Sequence, residues 1–187
     1  LYRFDFATGQ VTQLTFGSAR AYLADISPDG KRLLISHGTM KPSRKPFNRT
    51  TVIEMDAFTG KADTLLADTT FLGGMTYSPD GRTIAITASP GAFGGIGKEM
   101  PANMEPSHFD YRIYLYSLDT RKVTPALPHF APSVDQVKWA YGDNQIYLLT
   151  TEGCDRTIYR LNPKTLERMR FQLPLSYISS FSIAEGM

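Results

Sequence analysis

The chain repeats itself, and this repeat limits the possible folds more than any other feature of the sequence. Residues 4–9 read Phe-Asp-Phe-Ala-Thr-Gly, and residues 55–60 read Met-Asp-Ala-Phe-Thr-Gly. The tetrapeptide Ser-Pro-Asp-Gly occurs at 27–30 and again at 78–81. Both pairs are separated by 51 positions, from 5 to 56 and from 27 to 78. Two landmarks with one spacing indicate a repeated structural unit.

Weaker copies of the unit follow toward the C-terminus. Residues 116–123 resemble the first landmark, and residues 141–144, Tyr-Gly-Asp-Asn, stand where the turn is expected. A fourth copy begins at 159–162, Tyr-Arg-Leu-Asn, and reaches Glu185 and Gly186 in place of the Asp-Gly of the turn. We expect another strand to begin where the sequence ends.

Each unit is predicted to consist of β-strands. Pro-Asp-Gly and Gly-Asp-Asn are turn sequences, because proline fixes φ, Asx side chains bond nearby backbone, and glycine or asparagine tolerates positive φ. The flanking segments are short and rich in Ile, Leu, Val, Thr and Tyr, which favours strands over helices. The predicted strands are 21–27, 32–36, 52–56, 62–66, 74–78, 83–87, 113–117, 123–124, 136–140 and 145–150. The best helical candidate, 165–173, is interpreted as a turn leading into a strand.

Four strands in a repeat of roughly 40 to 50 residues are typical of one blade of a β-propeller. Neighbouring blades cover both faces of each blade, so its inner strands can be continuous apolar runs. An antiparallel sandwich of unrelated hairpins does not account for two landmarks at one spacing. The predicted fold class is therefore all-β, a β-propeller segment of four-stranded antiparallel blades.

Composition excludes several kinds of protein. Twenty Lys and Arg residues against 18 Asp and Glu give a formal charge of +2, so no strong field favours nucleic acid or an anionic membrane. The single cysteine, Cys154, can form neither an internal disulfide nor a thiolate zinc site. No apolar run approaches the roughly 18 residues of a membrane span. We expect no cofactor and no metal.

Ser-Pro-Asp-Gly followed by Lys or Arg and an apolar run resembles the WD40-like (PD40) repeat of TolB-type propellers. The same repeat builds the N-terminal propeller of serine peptidases of the prolyl-oligopeptidase and dipeptidyl-peptidase-IV type. The resemblance implies one partial propeller over 1–187, in which the strand before Ser-Pro-Asp-Gly lines a central channel. Its parts would be outer strands of a preceding blade at 1–16, blades at 20–67, 71–128 and 133–174, and the first strand of the next blade at 176–187. We expect a segment of a longer propeller, with a closed four-bladed ring as the alternative.

In the peptidases of this resemblance, a separate α/β-hydrolase domain carries the catalytic Ser, Asp and His. This sequence contains no Gly-x-Ser-x-Gly nucleophile elbow, so we expect no catalytic residue in it. The histidines His37, His108 and His129 are interpreted as solvated groups at strand ends or in loops. No adjacent glutamate pair matches the motif that holds the substrate's amino terminus in dipeptidyl peptidases.

Two long connections between the second and third strands of successive units are the candidate functional regions. The first, 37–49, carries Lys41, Arg44, Lys45 and Arg49 without an acid. We interpret it as a solvated loop, with a docking surface for an anionic group or a partner domain as the alternative. The second, 89–110, is a long insert at the same connection of the next unit. We expect both on one face of the propeller, as a lid or rim at a mouth of the channel. The candidate contact residues are Arg44, Lys45, Phe93, Lys98, Glu99, Glu105 and His108.

The resemblance implies a non-catalytic propeller portion of a prolyl-oligopeptidase-like serine peptidase, which gates substrate access and packs on the α/β-hydrolase domain. The partners would be a peptide substrate or that domain in the same chain, and the location periplasmic or secreted. The alternative is a TolB-like propeller that acts as a protein-binding scaffold in a bacterial envelope. A lyase or glycosidase site in the channel is a third alternative, with Asp25, Asp135 and Lys138 as candidates, although we interpret these as satisfied strand-end groups.

Overall fold

The structure is a computed structural model and describes residues 1–97 and 110–184. These residues form fourteen β-strands in four antiparallel sheets, together with a short 3-10 helix at Pro90–Phe93. The predicted all-β class is confirmed. The chain divides into two compact units, Leu1–Thr70 and Phe71–Met187. Within the described residues, no helix has the length and apolar character needed to cross a membrane.

The first unit contains a two-stranded hairpin and a four-stranded sheet. The hairpin pairs β1 (Tyr2–Phe4) with β2 (Val11–Gln13). The sheet joins each strand to the next in chain order: β3 (Arg20–Ile26), β4 (Arg32–Met40), β5 (Asn48–Asp56) and β6 (Ala62–Thr69). Buried residues of β4, β5 and the turn after β5 form the core, and Leu1 and Leu14 beside the hairpin pack against it.

The second unit contains two further four-stranded sheets, each again in chain order. The first consists of β7 (Leu72–Tyr77), β8 (Thr83–Ala88), β9 (Arg112–Ser117) and β10 (Val123–Pro125). The second consists of β11 (Ser133–Trp139), β12 (Ile146–Glu152), β13 (Asp155–Leu161) and β14 (Arg168–Arg170). One apolar core joins the two sheets, with Ala85 and Ile113 from the first and Val137 and Leu148 from the second.

The middle strands are buried on both faces. Ile84, Ala85 and Ile86 of β8 are each at most 1% exposed, although successive side chains of a strand point to opposite sides of the sheet. In β12, Leu148 and Leu149 are buried to the same degree. Burial on both faces accounts for the continuous apolar runs of the sequence. In a sheet with one solvated face, polar and apolar residues would alternate along each strand.

The two Ser-Pro-Asp-Gly turns have the same hydrogen bonds. The Ser27 hydroxyl donates to Asp29 Oδ1 at 2.6 Å and accepts from the backbone N–H of Arg32 at 2.8 Å. Ser78 repeats both bonds, to Asp80 at 2.6 Å and from Thr83 at 2.9 Å. These serine bonds lower the pKa of both aspartates and are the largest cause of the shift. The repeated tetrapeptide therefore closes the hairpin between the first two strands of a sheet.

The first landmark, Phe-Asp-Phe-Ala-Thr-Gly at 4–9 and its copy at 55–60, is a turn that follows the third strand of a sheet, or the equivalent strand of the first hairpin. Asp5 and Asp56 each accept two backbone N–H bonds through Oδ1. Asn162 does the same in the last sheet. At Ser117 the hydroxyl accepts one such bond, from Thr120. The predicted third and fourth copies of this landmark are confirmed, with serine and asparagine in place of aspartate.

Three details of the sequence interpretation are decided by the structure. β4 and β5 extend beyond the predicted 32–36 and 52–56, so His37 lies inside a strand. The solvated interpretation of His37 is wrong, because its Nε2 is buried. His129 lies in an exposed turn as predicted. The segment 165–173 is a turn that leads into β14, also as predicted.

The segment 176–184 is not assigned as a strand. It lies beside β11 and β13, because the Gln136 side chain bonds the backbone of Phe181 in both directions and Arg156 N–H donates to Ser176 O. Its assignment to the first strand of a further blade stays a prediction.

We predict that Ser27→Ala and Ser78→Ala each lower the free energy of unfolding by about 1 to 2 kcal/mol, because each removes two hydrogen bonds of a buried hydroxyl. Both serines are only 3% exposed. Urea unfolding measures the change. Ser43→Ala, at an exposed position, is the matched control and should leave the midpoint unchanged. Midpoints for both turn variants equal to that of Ser43→Ala would contradict the structural role of the turns.

Candidate functional site

A group of charged and polar side chains lies at the end of the β4–β5 hairpin. We call it the hairpin cluster and define it as His37, Lys41, Arg44, Lys45, Arg49, Thr51 and Asp68. All belong to the first unit. β4 and β5 bring both sides of the hairpin together, and the end of β6 adds Asp68 to the same end of the sheet.

Asp68 neutralises part of the basic loop. Its carboxylate lies 2.7 Å from Lys41 Nζ and 3.3 Å from Arg44 Nη1. The hydrogen bond from Lys41 is the main cause that lowers the pKa of Asp68, and the charges of Lys41, Arg49 and Arg44 add to it. The connection itself carries no acid, and the strand β6 supplies one to its basic residues.

A bulge brings Asp68 to this place. Between the pairs Val52↔Leu66 and Thr50↔Thr69, β6 has one residue more than β5, which bends a strand locally. Asp68 itself has φ 51°, a conformation that aspartate tolerates better than most residues. Its backbone N–H donates to Thr51 Oγ1 at 3.4 Å. Strand-pattern reasoning gives the position of β6 but not this bulge.

Arg49 and His37 are the inner part of the cluster. Arg49 is 7% exposed, and its Nη2 makes a long bond of 3.5 Å to the Lys45 carbonyl. The Nε of Arg49 and the Nε2 of His37 are buried, and neither finds a hydrogen-bond partner within the described residues. Buried polar atoms are nearly always paired, so the two nitrogens without a partner set this part of the cluster apart from an ordinary strand pair.

The tip of the hairpin is apolar as well as basic. Met40 is 70% exposed and Phe47 is 44% exposed. The N–H of Lys41 donates to the Phe47 carbonyl at 2.7 Å, and the Lys45–Pro46 peptide bond is cis. Lys41 and Arg44 keep 48% and 65% of their side chains exposed. The predicted docking residues Arg44 and Lys45 therefore stand beside an apolar surface.

The beginning of the 89–110 insert packs against its own sheet. Ser89 caps the 3-10 helix, and the Phe93 ring contacts the Tyr114 ring with centroids 4.9 Å apart. The Tyr114 hydroxyl donates to the Ile96 carbonyl at 3.0 Å. Phe93 anchors this segment to β9, and its predicted role as a contact residue stays a prediction. The predicted contact residues Lys98, Glu99, Glu105 and His108 lie outside the described residues.

The return from the insert is held by a buried arginine. Arg112 is 9% exposed and lies 2.7 Å from Asp110 Oδ1. It also donates to the carbonyl of Phe130. The N–H of Tyr111 donates to Ser133 Oγ at 3.1 Å. Both ends of the insert are thus tied to the second unit.

The three channel candidates belong to different units, Asp25 to the first and Asp135 and Lys138 to the second. Asp135 accepts from Thr151 Oγ1 at 2.6 Å and lies 3.1 Å from Arg156. Asp25 Oδ1 accepts the N–H of Ile26, and Lys138 is exposed. The interpretation of Asp135 as a satisfied group is confirmed. In 1–97 and 110–184, no group of three His, Cys, Asp or Glu side chains is placed to hold a metal ion.

The buried Tyr114 phenol, which holds residues 89–97 against β9, makes the free energy of unfolding depend on pH. Burial raises its pKa to about 12 from the ordinary value of 10. The unfolded chain ionises first as the pH rises, so the stability due to Tyr114 is complete below pH 10 and is lost toward pH 12. We predict that the difference in the free energy of unfolding between wild type and Tyr114→Phe becomes smaller as the pH rises from 10 toward 12. Tyr22→Phe, with 58% of the side chain exposed, is the control and should match wild type at neutral pH. A difference that does not change with pH would contradict the burial of the phenol.

No known protein family matches the sequence, nor does any curated protein. Solved structures do match. TolB from Acinetobacter baumannii has 19% identity and a TM-score of 0.64 over 94% of this chain and 38% of its own. Oligogalacturonate lyase from Vibrio parahaemolyticus has 19% identity and a TM-score of 0.65 over 90% of this chain and 46% of its own. A structure from a study of two prolyl endopeptidases has 16% identity and a TM-score of 0.58 over 90% of this chain and 24% of its own.

The chain thus spans less than half of each of these three structures. At these identities the likeness concerns the fold. Together with the three sheets of four strands, it confirms the predicted segment of a TolB-like β-propeller.

Proposed function

We propose that the chain is the non-catalytic propeller portion of a prolyl-oligopeptidase-like serine peptidase. In this role it gates the access of peptide substrates and packs against a separate α/β-hydrolase domain of the same chain. The observation that carries the proposal is the elaboration of one connection, between the second and third strands, in two successive sheets. Function in propellers is expected on such connections, since the sheets themselves are fully used in packing.

The third sheet shows that this connection need not be long. β12 ends at Glu152 and β13 begins at Asp155, so only Gly153 and Cys154 separate them. The first sheet instead carries the extended hairpin with its charged cluster, and the second carries the 89–110 insert. The hairpin is paired up to Met40 and Asn48, and residues 89–97 at the start of the insert are tied to β9 through Phe93 and Tyr114. The elaboration of this connection in two successive sheets supports a contact role.

The chemistry is assigned to residues outside this chain segment. The sequence lacks Gly-x-Ser-x-Gly, so the nucleophile, its base and its orienting acid would come from the hydrolase domain. The similarity to a prolyl endopeptidase structure supports this arrangement. A periplasmic or secreted location belongs to the same proposal and rests on the family resemblance.

The alternative is a TolB-like propeller that binds other proteins without an attached enzyme. The extent of the TolB match favours it, because that match covers 94% of the chain at a TM-score of 0.64. An exposed basic and apolar hairpin suits a protein-binding scaffold equally well.

Assays on the natural protein at its full length distinguish the two proposed functions. For a peptidase, we predict that a fluorophosphonate probe labels one serine outside residues 1–187, and that anilides of prolyl and alanyl dipeptides are hydrolysed. The serine is located by peptide mass spectrometry. A natural protein that neither reacts with the probe nor cleaves these anilides would exclude the peptidase and leave the scaffold.

Gating is tested by shortening the hairpin. Replacing residues 41–47 by Asn-Gly gives a two-residue turn between the paired Met40 and Asn48. We predict that kcat/KM for a peptide of about 20 residues changes at least about threefold, while that for a dipeptide anilide stays the same, because only the longer substrate has to pass the rim. Lys61→Ala, in the turn at the opposite end of the same sheet, is the control. Equal effects on both substrates would contradict gating by this hairpin.

A further inference from the structure

The inner face of the hairpin cluster is formed by two cross-strand pairs. His37 pairs with Thr51, and Thr39 pairs with Arg49. Paired residues of antiparallel strands lie on the same face, and so do residues two positions apart. The imidazole and the guanidinium are therefore diagonal neighbours on one side of the hairpin. Both carry a buried nitrogen that the described part of the chain leaves without a hydrogen-bond partner.

The charges around this face are unbalanced. The cluster contains four cationic side chains, Lys41, Arg44, Lys45 and Arg49, and one carboxylate, Asp68. Asp68 is bound by Lys41 and Arg44. The guanidinium of Arg49 makes one long bond, to a backbone carbonyl. A buried arginine is stabilised by an anion that accepts from its planar donors, and the carboxylate that the described part of the cluster places near Arg49 is the shared Asp68.

The surroundings favour one class of anion. Asp68 stands within the cluster and repels a dianion about twice as strongly as a monoanion, which disfavours phosphate. The same residue shows that the cluster accommodates a carboxylate, since two of its cations already hold one. Phe47, two positions from Arg49, is 44% exposed and offers contact area for an apolar side chain next to that carboxylate.

We propose that the hairpin cluster is a binding site for a carboxylate group of a peptide or protein, held by Arg49 and His37 and flanked by Phe47. The carboxylate comes either from a chain terminus or from an Asp or Glu side chain. Lys45, at an exposed position of the loop, adds attraction at the entrance. The proposal does not depend on the peptidase function, because the site lies within the first unit and requires no catalytic domain.

The test is an NMR titration of the 187-residue chain, which observes the Arg49 Nε–H and the His37 ring directly. N-acetyl-phenylalanine presents a terminal carboxylate, and N-acetyl-aspartyl-phenylalanine amide presents a side-chain carboxylate. N-acetyl-phenylalanine amide lacks both and is the control, and inorganic phosphate tests the other anion class. We expect saturable shifts at both nitrogens with at least one carboxylate probe, and none with the uncharged amide. The probe that binds more tightly identifies the source of the carboxylate.

Variants distinguish a ligand-binding role of the hairpin cluster from a purely structural one. Arg49→Lys keeps the charge but loses the planar donors and should weaken binding about tenfold, and Lys45→Ala should weaken it about threefold. Asp68→Asn removes the competing carboxylate and should strengthen binding about threefold, an effect that a purely structural cluster would not produce. Lys61→Ala should bind as wild type does. If Arg49→Lys does not fold, the opposite effects of Lys45→Ala and Asp68→Asn still decide the outcome.

Three results would overturn the proposal. The first is the absence of saturable shifts at Arg49 and His37 with either carboxylate probe. The second is tighter binding of phosphate than of both probes. The third is an affinity that Asp68→Asn leaves unchanged or lowers. Each result is independent of peptidase activity, so a failed enzyme assay and a failed binding test remain distinguishable.

Discussion

Burial of both faces of the middle strands is the constraint on which the rest of the structure depends. A sheet of four strands is too narrow to protect its own centre, so β8 and β12 must be covered from both sides. In the second unit this happens through one shared core, in which Ala85 and Ile113 of one sheet meet Val137 and Leu148 of the next. Each sheet is therefore incomplete without a neighbour, as in other repeat architectures.

The same constraint explains where variation is tolerated. The turns inside each sheet are short and closed by specific side-chain bonds, such as those of Ser27 and Asp56. The connection from the second to the third strand is not part of the shared core, and its length varies from two residues in the last sheet to a long insert in the middle one. Because loop length adds little to the free-energy cost of folding, this connection is free to acquire function.

Sequence reasoning succeeded where the physics is local. The turn chemistry of Ser-Pro-Asp-Gly and Asp-x-x-Thr-Gly involves bonds between residues at most five positions apart, so the repeat, its strands and its turns could be read directly. It failed where partners are distant. Asp68 reaches Lys41 and Arg44 through a bulge in β6, and Phe93 meets Tyr114 from 21 positions away. Hydrophobic patterns contain no information about such contacts. His37 was misread for a related reason, because nothing in the pattern indicated how far β4 continues.

By itself the sequence determined that the chain is built from repeated four-stranded sheets, because its turns and apolar segments recur with one spacing and turn geometry depends on neighbouring residues. It also determined which connections are long and which carry positive charge. Only the tertiary structure decided that the basic loop is a paired hairpin and that Asp68 takes up two of its cations. It also decided that Arg49 Nε and His37 Nε2 are buried without a hydrogen-bond partner among the described residues. The physical reason is that strand register and bulges bring together side chains from three strands, and desolvation then decides which of their charges remain available.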